Sequence, residues 1–121
     1  MSQSECKIDT NGNKRWYLNG NLDREDINPE TGLTCPAVEL ADGTRYWFLN
    51  GKCHREDGPA IEYADGRTYY YINGKLHRED GPAIELVDGG TEYYINDKHI
   101  PQLDNKRIYG KENLQKFLLL I

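Results

Sequence analysis

The chain has 121 residues, enough for one domain with a modest core. Its 15 basic and 20 acidic residues leave a net charge of −5, which argues against a general binder of nucleic acid or anionic membrane, since both need a basic surface. No apolar segment follows Met1 and the apolar end Phe117–Ile121 is far too short for a bilayer, so the expectation is a cytoplasmic chain with Cys6, Cys35 and Cys53 as reduced thiols.

In chain order, a first hairpin repeat over residues 11–26 turns at Asn19-Gly20. An insertion loop, 27–35, follows it. Three more repeats, 36–57, 58–80 and 81–100, turn at Asn50-Gly51, Asn73-Gly74 and Asn96-Asp97, which sit 23 residues apart. Asn-Gly between apolar runs signals a type I′ hairpin, because both central residues need positive φ. A second reversal falls at Asp42-Gly43, Asp65-Gly66 and Asp88-Gly89, with Asn11-Gly12 in the first copy. Between the turns lie short runs rich in Tyr, Trp, Ile and Thr, such as Thr68 to Ile72. From Lys111 the pattern becomes helical, and residues 111–120 read as a helix covering the open edge of the array. The predicted fold is mainly β: a single-layer antiparallel meander of about four 23-residue hairpin repeats, one domain over 1–121, with a short C-terminal capping helix.

Strand alternation assigns residues to faces. Trp16, Trp47, Tyr70 and Tyr93 share a side with Leu18, Leu49, Ile72 and Ile95. Together with Val38, Ile61, Ile84, Leu40, Tyr63 and Leu86 of the companion strand they are expected to form the buried face, with Cys53 a small core residue in the place of Leu22 and Leu76. The open face is expected to carry Tyr17, Phe48, Tyr71 and Tyr94, flanked by Arg15, Tyr46, Tyr69 and Glu92, with Glu39, Glu62 and Glu85 interleaved. Rings among carboxylates suit a protein partner with a basic or mixed surface. Side-by-side packing that stiffens a thin sheet is the plainer role for the same rings.

The segment His54-Arg55-Glu56-Asp57-Gly58-Pro59-Ala60-Ile61-Glu62 recurs letter for letter at His77 to Glu85. Its His, Arg and carboxylates offer acid–base chemistry, but an active site is one asymmetric constellation and this one is periodic. A mechanical role is expected instead: carboxylates pairing with Arg and accepting backbone N–H bonds at the Gly-Pro turn. Cys53 and His54 are adjacent and point apart, so no metal site is expected. No phosphate loop or nucleophile motif is present, so neither a cofactor nor an enzyme is expected.

The aromatic strand followed by Asn-Gly-Lys, here Tyr69-Tyr70-Tyr71-Ile72-Asn73-Gly74-Lys75 between Asp65-Gly66 and Asp88-Gly89, resembles the MORN repeat family over roughly Asn11 to Lys98. The His-Arg-Glu-Asp-Gly-Pro-Ala linker departs from that family's usual Gly-rich one and is similar to small proteins of bacteria and their phages. The resemblance implies a scaffold for protein contact or dimerisation. It suggests a non-catalytic protein-binding module, a phage-encoded inhibitor of a host defence enzyme of the anti-CRISPR kind. The alternatives are a small-molecule or nucleotide-binding sponge using the His and Arg column, and a structural or homodimerising scaffold. The insertion loop and the C-terminal helix are further candidate contact sites.

Overall fold

A computed structural model describes residues 3–121. The main sheet has nine short antiparallel strands. Glu5–Ile8, Lys14–Leu18, Val38–Glu39, Arg45–Tyr46, Ile61–Glu62, Thr68–Tyr69, Ile84–Glu85 and Thr91–Glu92 follow one another across it, with Asn21–Leu22 pairing beside Lys14–Leu18. Three two-strand hairpins complete the meander: Phe48–Leu49 with Lys52–Cys53, Tyr71–Ile72 with Lys75–Leu76, and Tyr94–Ile95 with Lys98–His99. The fold class is the one the repeat pattern predicts.

Lys14–Leu18 is one continuous strand, but the corresponding runs of the three later repeats are each interrupted at one residue. Trp47 donates its N–H to Ala60 C=O at 2.8 Å in the main sheet, while its own C=O accepts the His54 N–H at 3.0 Å in the hairpin. Tyr70 repeats this with Ala83 and His77. One aromatic residue therefore joins two ladders, and the chain changes partners there. The hairpins also hold each other, through Gly51 N–H to Leu22 C=O, Gly74 to Cys53 and Asp97 to Leu76, at 2.8 to 2.9 Å. Each repeat so contributes one step to the main sheet and one to a second row beside it. Where repeats meet, Ala37, Ala60 and Ala83 are fully buried, leaving no room for a larger side chain.

The hairpin turns have the geometry their sequence demands. Asn50 and Gly51 take φ of 51° and 77°, and Asn96 and Asp97 take 49° and 69°. Asp97 lacks glycine's freedom, but its carboxylate accepts the Leu76 N–H at 2.7 Å. In the other reversals Asp42 and Asp88 accept the N–H two residues on at 2.8 and 2.9 Å.

The C-terminal segment caps the array. A 3₁₀ turn, Pro101–Leu103, leads to a helix at Lys111–Leu118, which ends short of Leu119 and Leu120. Tyr93, Leu103, Ile108 and Leu114 form a buried cluster, with Ile100 and Leu118 against it. The Tyr93 hydroxyl donates to Lys106 C=O and accepts the Ile108 N–H, both at 2.8 Å. The Asn105 N–H meets Thr91 C=O at 2.8 Å, occupying the last strand's edge. Among the described residues no helix is long and apolar enough to cross a membrane.

Candidate functional site

The recurring motif builds the same structural unit each time. The Arg55 guanidinium stacks 3.9 Å from the Trp47 ring, its Nε donates to Asp57 at 2.7 Å, and its Nη1 donates to Pro59 C=O at 3.0 Å and to Glu62 at 3.4 Å. Arg78 does the same with Tyr70, Asp80, Pro82 C=O and Glu85, and Arg24 with Trp16, Asp26 and Pro36 C=O. These contacts offset the burial of the Arg55 guanidinium, whose side chain is only 5 % exposed. A Cβ on Gly58 would lie 2.8 Å from Arg55 Cζ, and one on Gly81 2.7 Å from Arg78 Cζ, so the glycine makes room for the guanidinium. His54 and His77 use Nδ1 to accept the N–H of Asn73 and Asn96, the turn of the next hairpin. Asp23 takes that place in the first copy and accepts the Asn50 N–H at 2.9 Å. Carboxylate–arginine pairing is as expected. The backbone N–H groups that the motif accepts, however, are not those of the Gly-Pro turn: Asp57 accepts from Thr34 of the insertion loop, Asp23, His54 and His77 accept from the next hairpin turn, and Arg donates to the proline carbonyl.

The insertion loop packs onto this side. Ile27 and Thr34 form a bridge that closes it, Asp57 accepts the N–H and hydroxyl of Thr34 at 2.9 and 2.8 Å, and Thr34 C=O accepts the Trp47 indole N–H at 2.9 Å. Burial alone would raise the Asp57 carboxyl, but the bonds from Thr34 and Arg55 outweigh it and hold the group below its ordinary value. Between the motif copies at Arg55 and Arg78 runs an open groove of about 680 Å³, lined by Asp57, Tyr70, His77 and Asp80 among others and reaching Lys111 of the helix. Its arginines already have carboxylate partners.

The other side of the sheet carries the rings. Tyr46, Tyr63 and Tyr69 meet in T-shaped contacts at 6.2 and 5.4 Å between ring centroids, and Tyr46 lies 6.3 Å from Phe48. Tyr94 stacks on His99 at 4.9 Å, and Lys7 Nζ lies 5.2 Å above the Tyr17 ring. Tyr17, Tyr46, Phe48, Tyr69, Tyr71 and Tyr94 are all half-buried. Burial raises the Tyr71 hydroxyl and pushes the Cys53 thiol up to about 12, but Cys53 is only half-buried and lies directly opposite Phe48, so it packs beside the rings and not in the Trp47 and Tyr70 column as expected.

Register corrects the expected grouping. Val38 and Ile61 lie directly opposite Tyr46, and Ile61 and Ile84 opposite Tyr69. Directly opposed residues share a face, so the Val and Ile column belongs with the rings and not with the Trp47 and Tyr70 column. Glu39 and Glu62 oppose Arg45, and Glu85 opposes Thr68 and Thr91, on the arginine side. There Glu62 and Glu85 bond Arg55 and Arg78, and Glu85 also accepts from the Tyr109 hydroxyl at 3.2 Å. The three glutamates therefore leave the candidate face. Alternation fixes parity within a strand, but a slip of one residue between strands exchanges the faces. The arginine–ring stacking was also missed, although the fixed spacing of Arg from the preceding aromatic in each copy was a signal for it.

Comparison with family models, curated proteins and solved structures matches nothing.

Proposed function

We propose that the chain is a non-catalytic module that binds another protein through the aromatic face. The observation that carries this is the continuous strip of half-exposed rings from Tyr46 and Phe48 through Tyr63 and Tyr69. Large rings with few rotatable bonds give contact area at low entropic cost, which favours Tyr in protein interfaces. With the glutamates on the other side, the face mixes rings with Arg15, Arg67, Glu92 and His99. A partner with a mixed, partly apolar surface suits it better than a strongly basic one.

The motif residues support a binding role over a catalytic one. Each Arg, Asp and His Nδ1 of the repeated segment is engaged in a bond that recurs from copy to copy. Within the binding class, inhibition of a bacterial defence enzyme is the narrower proposal, resting on the resemblance to MORN-like phage proteins. Tagged protein incubated with bacterial lysate tests the reading, using wild type beside Tyr69→Ser/Tyr71→Ser/Tyr94→Ser and beside Glu56→Gln/Glu79→Gln. The account expects one stoichiometric partner, kept by the glutamine variant and lost by the serine variant, with both variants folded by circular dichroism. Retention by the serine variant, or no partner at all, would overturn it.

A further inference from the structure

We propose that two copies of this chain join edge to edge through Glu5–Ile8, as antiparallel strands centred on Cys6. The two ends of the main sheet are treated differently. At the far end, Asn105 bonds Thr91 and the C-terminal segment covers the edge. At the near end, Glu5–Ile8 pairs only with Lys14–Leu18 among the described residues, and all four of its residues are exposed, Ile8 at 64 %. A strand edge with unpaired backbone groups templates pairing with another strand.

The phase of the hairpin shows which groups are free. Asp9 donates its N–H to Asn13 C=O at 3.1 Å, and the register runs from there through Lys7 opposite Arg15 to Glu5 opposite Tyr17. Hydrogen-bonded pairs alternate with non-bonded ones, so Asp9, Lys7 and Glu5 bond inward while Cys6 and Ile8 turn their N–H and C=O outward. Trp16, opposite Cys6, agrees: its N–H turns the other way, to Ala37 C=O at 2.8 Å.

The side chains choose the occupant. An antiparallel pair with Cys6 opposite Cys6 of the second copy sets Glu5 opposite that copy's Lys7, and Lys7 opposite its Glu5. Both charge pairs are complementary across a twofold axis, as an isologous contact requires. The central cysteines become a bonded backbone pair with Cα atoms about 5.5 Å apart. That spacing also suits a disulfide. Shifting the register by one residue in either direction breaks this charge matching. Joined so, the two aromatic faces continue into one surface, because Glu5 and Lys7 lie on the same side as Tyr17 and Arg15.

Sedimentation equilibrium of the full chain under reducing conditions is the test, with Glu5→Lys, Lys7→Glu and an equimolar mixture of the two. Wild type is expected to dimerise and each single variant to dimerise about tenfold more weakly, since both cross-strand pairs become like-charged. The mixture is expected to regain wild-type association, because one chain is then basic at both positions and the other acidic at both, so each cross-strand pair is again of opposite charge. Diamide supplies an independent readout. Two Cys6 thiols give up two protons and two electrons to it as the S–S bond forms, so a covalent dimer is expected from wild type and none from Cys6→Ser. A monomeric wild type, single variants that associate as well as wild type, or a mixture that fails to recover would each overturn the proposal.

Discussion

At the residue scale, the repeated segment is a set of fitted contacts around one guanidinium. Gly58 is there because Arg55 occupies the space a methyl group would take. Gly58→Ala is expected to displace Arg55 from Trp47 and cost about 2–3 kcal/mol in chemical denaturation, the range for disrupting a buried bonded group. An unchanged midpoint would show that the arginine can yield freely. Asp23 is the misfit among the copies. It is 2 % exposed and its Oδ1 has no hydrogen-bond partner, whereas His54 and His77 accept the same backbone N–H through one ring nitrogen. Asp23→His is expected to stabilise the fold by about 1 kcal/mol by removing that orphaned oxygen. Destabilisation on unfolding would contradict this. The motif's recurrence and its mechanical use were legible in the sequence. Which atom bonded which was not, because the partners lie in neighbouring copies whose register the letters do not state.

At the element scale, the Asn-Gly and Asp-Gly turns could be read directly, since positive φ is demanded locally. The breaks in the strand runs at Trp47 and Tyr70 could not. They depend on where the neighbouring repeat offers its carbonyl, a tertiary fact. The helix was legible as a cap because it breaks the repeat pattern, and its packing has a measurable consequence. Leu114 is 1 % exposed beside Tyr93, so Leu114→Ala is expected to cost roughly 2–5 kcal/mol and to expose the last strand's edge to amide exchange. The insertion loop is tied by Asp57, whose folded value lies below its ordinary 3.8. A depressed carboxyl stabilises the folded state above its unfolded value and loses that contribution as pH falls through the folded one. Asp57→Asn is therefore expected to be less stable than wild type at neutral pH, with the gap closing in acid. A gap that stays constant with pH would show that the carboxylate's charge does not matter there.

At the scale of the whole molecule, the sheet divides its labour between two faces. The side of Trp47, Tyr70 and the three arginines is bonded within itself and gives the array its stiffness. The side of Tyr46, Tyr63 and Tyr69 carries rings with open surface. Composition and period indicated a repeat sheet with an aromatic face. They misplaced Glu39, Glu62 and Glu85 because only cross-strand register decides which columns lie together. Hydrogen–deuterium exchange on the chain alone and bound to its captured partner tests whether the aromatic face is the interface. Binding through the rings predicts new protection in the segments 45–53, 68–76 and 91–99, which carry the aromatic strip. Protection confined to 27–35 and 111–118, with the ring-bearing strands unchanged, would place the interface on the insertion loop and the cap and contradict it.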